Sequence, residues 1–74
     1  MTQKTRAEIG QLIKQMREDE GLSQEKLALM AGVERAYLAK VEAGKRNTTV
    51  DFLEKITLSL GHSLPEFFAI LYRS

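Results

Sequence analysis

Basic side chains are concentrated in one short part of the sequence, between residues 35 and 47. The cationic residues there are Arg35, Lys40, Lys45 and Arg46, and the only acidic residue among them is Glu42. Guanidinium and ammonium groups at this density are typical of a surface that binds a polyanion. The net charge of the whole chain is only +1, so we expect such a surface to lie on an otherwise nearly neutral body.

The remaining titratable residues do not form a set that fits catalysis or metal binding. His62 is the only imidazole, and the chain has no cysteine. Glu18, Asp19 and Glu20 are consecutive, so on a helix their side chains would fan around the axis instead of converging on one site. We therefore expect no catalytic residue, no metal site and no cofactor, and we do not expect an enzyme.

The cationic segment overlaps a stretch, residues 24–42, with the pattern of two short helices joined by a tight turn. Its apolar positions fall on one side of such a structure: Leu27, Ala31, Val33, Leu38 and Val41. Ala28 falls where the two helices would come closest, and Gly32 suits the turn because glycine adopts a positive φ without a Cβ penalty. The pattern is typical of a helix-turn-helix, whose second helix lies in the major groove of DNA. An ordinary helical hairpin in a small bundle is the alternative.

Three further helices are predicted around this motif. Thr5 and Glu8 have the spacing of a capping box for a first helix, which leaves Met1 to Lys4 as a frayed start. Thr49 is the expected cap of a fourth helix. The residues of that helix expected to point inward are Val50, Phe52, Leu53, Ile56 and Leu60. With a fifth helix, the prediction is an all-α, compact five-helix bundle that contains the helix-turn-helix.

The predicted fifth helix begins at a second capping box, Ser63 and Glu66, and is apolar around most of its circumference. A helix of this kind needs cover on a second side, and a chain of 74 residues without disulfides often gains stability from a partner subunit. We expect residues 1–74 to form one domain whose last helix, about residues 63–73, contributes to a homodimer. The predicted interface residues are Phe67, Phe68, Ile70, Leu71 and Tyr72. The alternative is that these side chains are simply exposed.

The composition is ordinary for a soluble globular protein, with 43% hydrophobic and 28% charged residues. The N-terminal region has no long apolar run, so we expect neither a signal peptide nor a transmembrane helix. A cytoplasmic location without membrane association follows as the default expectation. No feature of the sequence indicates a small-molecule effector.

Over roughly residues 8–68 the chain resembles Cro and phage-repressor-type helix-turn-helix regulators, also called XRE-like. Within that family, RAYLAKVEAGKRNTTVDFLEKI followed by PEFF is most similar to restriction-modification controller proteins. The resemblance implies a lambda-repressor-like fold and a homodimeric regulator that binds a palindromic operator in double-stranded DNA, as activator at one site and repressor at another. RNA polymerase is then a candidate partner. An antitoxin-type or phage-type repressor, which also binds a protein through its C-terminal helix, is the alternative.

The resemblance also implies roles for particular residues. Arg17 and Glu42 match the family's internal ion pair between the first and third helices, and two independent surface charges are the alternative. Arg35 is the first residue of the exposed face of the recognition helix, and its guanidinium can donate two hydrogen bonds to guanine O6 and N7. A phosphate contact is the alternative for Arg35. Tyr37 resembles an aromatic residue of controller proteins whose hydroxyl reaches DNA. A core or dimer aromatic is the alternative for Tyr37.

The other predicted DNA contacts lie on the recognition helix and just after it. Ala36 and Ala39 allow a close approach and can meet thymine methyl groups, whereas Lys40 is expected at a phosphate. Arg46 and Asn47 match controller residues that contact DNA, and a solvated turn is the alternative for this loop. The full predicted set is Gln24, Arg35, Ala36, Tyr37, Ala39, Lys40, Lys45, Arg46, Asn47 and Thr48.

Three residues of this region need separate comment. Gln24 lies in the first turn of the second helix, where it either reaches a phosphate or is solvated. Glu34 occupies a cap position at which the family often has a small polar residue; its carboxylate favours the helix dipole but repels nearby phosphate. Ala36 stands where controller proteins often have a polar residue, so one base contact is expected to be missing. The operator sequence therefore cannot be copied from relatives.

Overall fold

The computed structural model describes residues 1–73, and within that range it contains five α-helices and no strand. The helices are α1 (Gln3–Asp19), α2 (Gln24–Ala31), α3 (Arg35–Glu42), α4 (Val50–Ser59) and α5 (Leu64–Leu71). α2 and α3 form the helix-turn-helix, α1 packs on α3, α4 packs on α2, and α5 packs on α4 and α1. The predicted all-α architecture is confirmed. None of the helices described is both long and apolar enough to cross a lipid bilayer.

The core is built from one apolar stripe of each helix. Its buried residues are Ile9, Ile13, Met16, Leu27, Ala28, Leu38, Val41, Phe52, Leu53, Ile56, Leu60 and Phe67. The inward direction predicted for Val50 is wrong, because this first residue of α4 lies at the edge of the bundle and is 70% exposed. Thr57 is fully buried on the same helix, and its hydroxyl donates to the Glu54 carbonyl at 3.2 Å. The bonded hydroxyl can be buried without an unpaired polar atom.

The start of α1 differs from the sequence prediction. The helix begins at Gln3 and is capped by Thr2, whose hydroxyl accepts a hydrogen bond from the Thr5 amide at 3.0 Å. Residues 1–4 are therefore not a frayed start, and Thr5 is a helical residue instead of a cap. Thr2 supplies the required side-chain oxygen one turn earlier, so the helix extends to it.

α1 and α3 cross at Gly10, a residue whose role the sequence analysis missed. A Cβ atom at residue 10 would lie 2.3 Å from the carbonyl oxygen of Val41 and 2.7 Å from that of Glu42. The two backbones are thus closer than any larger residue would allow. An isolated glycine inside a helical pattern is a recognised sign of such an approach. The crossing determines where the C-terminal end of α3 lies.

Candidate nucleic-acid interface

One face of α3 is open to solvent, and the opposite face is in the core. Arg35, Ala36 and Lys40 are exposed and Ala39 is half-buried, whereas Leu38 is fully buried. Within residues 1–73, Arg35 forms no ion pair. Its guanidinium is available to a ligand, and the neighbouring alanine leaves room for a close approach to a flat or grooved surface.

The other end of α3 is held by a buried ion pair. Arg17 Nε donates to Glu42 Oε2 at 2.7 Å and Arg17 Nη2 donates to Glu42 Oε1 at 2.9 Å, which is the two-point geometry that suits a guanidinium and a carboxylate. Arg17 Nη1 also donates to the Leu22 carbonyl at 2.7 Å. The hydrogen bonds that Arg17 donates to the Glu42 carboxylate raise the pKa of Arg17 above its ordinary value, although burial opposes this. The pair proposed from the sequence therefore fixes α3 to α1.

Gln24 joins the same network from the start of α2. Its side chain is half-buried, and its Nε2 donates to Glu42 Oε1 at 3.0 Å. An amide nitrogen has two N–H groups, so one remains free to donate to a ligand. Gln24 and Lys14 line the same recess of about 140 Å³, together with Ala39 of α3. Lys14 is an exposed cation that the sequence analysis did not include.

The loop that follows α3 presents further polar and cationic side chains. Lys45, Arg46 and Asn47 are exposed, and Thr48 is half-buried. The Tyr37 hydroxyl donates to the backbone carbonyl of Asn47 at 2.9 Å, and the Arg46 guanidinium lies 5.2 Å from the centroid of the Tyr37 ring.

Tyr37 also packs on the core. Its ring centroid is 4.5 Å from that of Phe52, and its side chain is half-buried. The structure thus shows the core packing of the alternative interpretation, and the contact of the Tyr37 hydroxyl with DNA stays a prediction. The ring is supported by the core, and the hydroxyl lies at the loop, where its proton is used by the Asn47 carbonyl. The oxygen retains the capacity to accept a hydrogen bond.

Arg6 of α1 contacts the same loop and was not predicted. Its Nη1 donates to Asn47 Oδ1 at 3.2 Å and to the Met1 carbonyl at 3.3 Å. The contact joins residues 41 positions apart in the chain, and no local pattern indicates a pairing at that separation. Arg6 is, however, three residues before Ile9, on the inward stripe of α1, so extending the stripe by one turn would have placed it near the bundle.

The helix-turn-helix family model matches residues 13–67. The chain belongs to the helix-turn-helix family. It is 40% identical to the control protein C.BamHI of Bacillus amyloliquefaciens over 82% of this chain and 76% of that protein. The restriction-modification controller protein C.AhdI of Aeromonas hydrophila superimposes with a TM-score of 0.82 at 34% identity, over 86% of this chain and 97% of that one.

A second controller protein, C.Esp1396I, has been solved as a tetramer in complex with its natural 35-base-pair operator. It superimposes with a TM-score of 0.85 at 32% identity, covering 92% of this chain and 90% of that one. The predicted resemblance is therefore confirmed: this helix-turn-helix protein is a DNA-binding transcriptional regulator similar to controller proteins.

The fifth helix of this helix-turn-helix protein divides the predicted dimer residues into two groups. Phe67 is fully buried within the chain, so its assignment to a dimer interface is wrong: its ring fills the monomer core. Phe68, Ile70 and Leu71 are half-buried and Tyr72 is 62% exposed. A groove of about 600 Å³ runs between α1 and α5 and is lined by Ala7, Glu8, Gln11, Leu12, Gln15, Ile70 and Leu71.

Proposed function

We propose that this regulator is a homodimeric controller protein of a restriction-modification system, and that it binds a palindromic operator with the α3 helix of each copy. The observation that supports this most strongly is the contrast between the two ends of α3. Glu42 at its C-terminal end is fixed to Arg17, whereas Arg35 at its N-terminal end is exposed and unpaired within residues 1–73. The arrangement presents the Arg35 guanidinium on a helix of fixed position.

The contacts divide by chemistry. Arg35 donates to guanine in the major groove, and Ala36 and Ala39 lie against the base edges and thymine methyls. The remaining residues of the proposed set position the protein on the phosphate backbone, which accepts hydrogen bonds and attracts cations. They are Gln24, Tyr37, Lys40, Lys45, Arg46, Asn47 and Thr48. Lys14, beside Gln24, is a further phosphate contact in this proposal.

In this proposal the second copy of the chain packs against α5. Phe68, Ile70, Leu71 and Tyr72 form the proposed dimer surface, and the Phe68 and Tyr72 rings stack with their centroids 6.3 Å apart. Two α3 helices related by a two-fold axis would enter successive major grooves, roughly 34 Å apart. Two modules bury about twice the DNA surface of one, so dimerisation and affinity are coupled in this proposal.

The regulated locus is part of the proposal as well. The similarity to C.BamHI and C.AhdI favours a gene beside a methyltransferase and an endonuclease, with RNA polymerase as the partner when the bound protein activates transcription. A toxin gene as neighbour would instead favour an antitoxin-type regulator. The groove between α1 and α5 would then hold a protein partner.

Selection of bound duplexes from a random DNA pool, with analytical ultracentrifugation of the free protein, tests the proposal. We expect a dimer and enrichment of an inverted repeat whose half-sites are about one helical turn apart. The enriched sequence would also locate the regulated gene. A monomeric protein that enriches no sequence would contradict the proposal and favour the protein-partner alternative.

Ile70→Asp tests the coupling between dimerisation and DNA affinity. The carboxylate would lie in the apolar groove against a second copy, so we expect the variant to sediment as a monomer and to bind the selected duplex at least about tenfold more weakly. Leu29→Asp is a matched control, because Leu29 is 76% exposed on α2 and lies outside the proposed surface. It should remain dimeric. A monomeric Ile70→Asp variant with full affinity would rule out the coupling.

A further inference from the structure

Asn47 is held from two sides by residues of different helices. Its backbone carbonyl accepts the Tyr37 hydroxyl proton at 2.9 Å, and its side-chain Oδ1 accepts from Arg6 Nη1 at 3.2 Å. The chain also packs closely beside this point, since a Cβ atom at Gly44 would lie 3.1 Å from the Ala7 Cα. The loop after α3 is thus fastened to the start of α1 as well as to α3.

The chemistry of the Arg6 contact determines which way the Asn47 amide points. A guanidinium has only donors, so the atom of the amide that faces Arg6 must be the oxygen. The Nδ2 group, which has two N–H donors, is then directed away from Arg6. Within residues 1–73 it has no hydrogen-bond partner, and the residue is exposed. A phosphate offers only acceptors, so this orientation is the one that a DNA backbone requires.

We infer that Arg6 is a positioning residue for DNA binding: it orients the Asn47 amide so that Nδ2 donates to a backbone phosphate. The inference rests on the proposed function, because it assumes that the loop after α3 faces DNA. Without Arg6 the amide could rotate and present its oxygen, which a phosphate repels. Arg6 acts through Asn47 and makes no DNA contact of its own in this inference.

The surroundings of Arg6 fit this role. The guanidinium has no carboxylate partner within residues 1–73, so no acidic group competes with Asn47 Oδ1 for its N–H donors. Its Nε is buried without a hydrogen-bond partner in the same range, and Nη1 alone makes the contacts to Asn47 and Met1. A side chain satisfied so incompletely is expected to contribute little to the stability of the fold. Removing the Arg6 side chain should therefore lower the affinity for DNA more than it lowers the free energy of unfolding.

A double-mutant cycle tests the inference. The affinities of the wild type, Arg6→Ala, Asn47→Ala and the double variant are measured by fluorescence anisotropy on the labelled inverted repeat from the selection. A mixed-sequence duplex of equal length replaces it if no repeat is enriched. We expect each single variant to bind about three- to tenfold more weakly, and the double variant to bind no more weakly than Asn47→Ala alone. Lys4→Ala is the control, since it removes one exposed cation two residues earlier.

Nuclear magnetic resonance of the free protein supplies a second readout. The side-chain amide resonances of Asn47 should move in Arg6→Ala and stay in place in Lys4→Ala. The inference would be overturned if the Asn47 resonances did not move or if Arg6→Ala bound DNA with full affinity. It would also be overturned if the losses of affinity of the two single variants multiplied in the double variant, because Arg6 would then be an independent DNA contact. If Arg6→Ala melts at a lower temperature than the wild type, Arg6→Met, which fills similar space without an N–H donor, replaces it in the cycle.

The failure of the inference and the failure of the proposed function give different results. If Asn47→Ala weakens binding and Arg6→Ala does not, the loop contacts DNA but Arg6 does not orient it. If neither Asn47→Ala nor Arg46→Ala changes the affinity, the loop lies away from the DNA and the proposed interface itself is wrong.

Discussion

α3 and α5 are helices of equal length, eight residues each, but they are stabilised in different ways. α5 begins with a complete capping box, in which Ser63 and Glu66 exchange hydrogen bonds of 2.8 and 3.2 Å, and has a proline in its first turn. α3 begins at Arg35, and the side chain of the preceding N-cap residue, Glu34, makes no capping hydrogen bond. The interactions that define α5 are therefore local, whereas those that define α3 come from the rest of the chain.

The contacts that hold α3 lie on its inner face and at its C-terminal end. Leu38 and Val41 are buried, Gly10 allows the close crossing with α1, and Arg17 binds Glu42. Because these contacts determine its position, the exposed residues of α3 need not stabilise the helix. They are free to be selected for recognition. The comparison thus predicts that mutations on the two sides of α3 affect different properties.

The largest effect is expected from Glu42→Ala. The substitution leaves the Arg17 guanidinium buried without its carboxylate and removes the acceptor of Gln24. Breaking a buried pair in this way costs about 3–5 kcal/mol of unfolding free energy. Urea denaturation at a fixed protein concentration measures the loss, since dimerisation makes the apparent stability depend on concentration.

The control for this experiment replaces both partners with apolar residues of similar size. Arg17→Met with Glu42→Leu removes the charges together, and we expect the double variant to regain most of the stability that Glu42→Ala loses. If the double variant were as unstable as the single one, the pair would stabilise the fold through its hydrogen bonds as well as by neutralising a buried charge. If the double variant is stable, its affinity for DNA shows how far the pair also orients α3.

Arg35→Ala changes the opposite side of the same helix. We expect an unchanged melting temperature, because Arg35 is exposed and unpaired within residues 1–73, and a loss of about 1–3 kcal/mol in binding to the selected duplex. The loss should come with relaxed sequence preference at one position of each half-site. Repeating the selection with the variant measures this. An unchanged preference would show that Arg35 does not contact a base.

Arg46→Ala is the matched comparison for Arg35→Ala, because it removes an equal charge from the loop. Arg46 lies over the Tyr37 ring and is proposed to contact a phosphate. The variant should weaken binding to all sequences alike and reduce the slope of log affinity against log salt by about one. If Arg46→Ala altered sequence preference as Arg35→Ala does, the division into base and phosphate contacts would need revision.

The helices and most of the core follow from local sequence. The helix-turn-helix was predictable because the spacing of Leu27, Leu38 and Val41, with Gly32 between them, constrains two helices and a turn at once. The capping box at Ser63 was equally local and is confirmed. Val50 and Phe67 show the limit of such patterns. Periodicity gives the direction of a side chain but not whether the neighbouring helix extends far enough to cover it.

The candidate site was predictable only where a residue acts alone. Arg35 could be found from its type and its place on an exposed face. The contacts of Arg6 with Asn47 and of Gly10 with the Val41 carbonyl join parts of the chain that are distant in sequence. Nothing within one helix indicates which distant backbone atom will lie opposite. The contact between Arg17 and Glu42 was foreseen because the family resemblance supplied the pairing.

A smaller effect than those at α3 is expected at the start of α5. Ser63→Ala removes the oxygen that accepts from the Glu66 amide, at a cost of about 1 kcal/mol. Because this cap is local, the lower stability of the variant should leave its DNA affinity unchanged as long as the variant still forms a dimer through α5. Thermal unfolding and sedimentation of the variant measure both. A loss as large as that of Glu42→Ala would contradict the view that a local cap contributes less stability than the buried ion pair that holds α3.

The smallest effect, and the one with a defined pH dependence, is expected for Glu66→Gln. The backbone hydrogen bond from Ser63 lowers the pKa of the Glu66 carboxyl below its ordinary value of 4.5, so folding favours the ionised form. The contribution of the charge is therefore complete above the pKa of the unfolded chain and is lost as the pH falls through the lower pKa of the folded chain. The melting temperatures of the wild type and Glu66→Gln should differ at pH 7 and converge as the pH falls below the lowered pKa of the folded chain. A Glu66→Gln difference that persisted at low pH would mean that the carboxylate acts through hydrogen-bond geometry, which glutamine only partly reproduces, and not through its charge at the helix start.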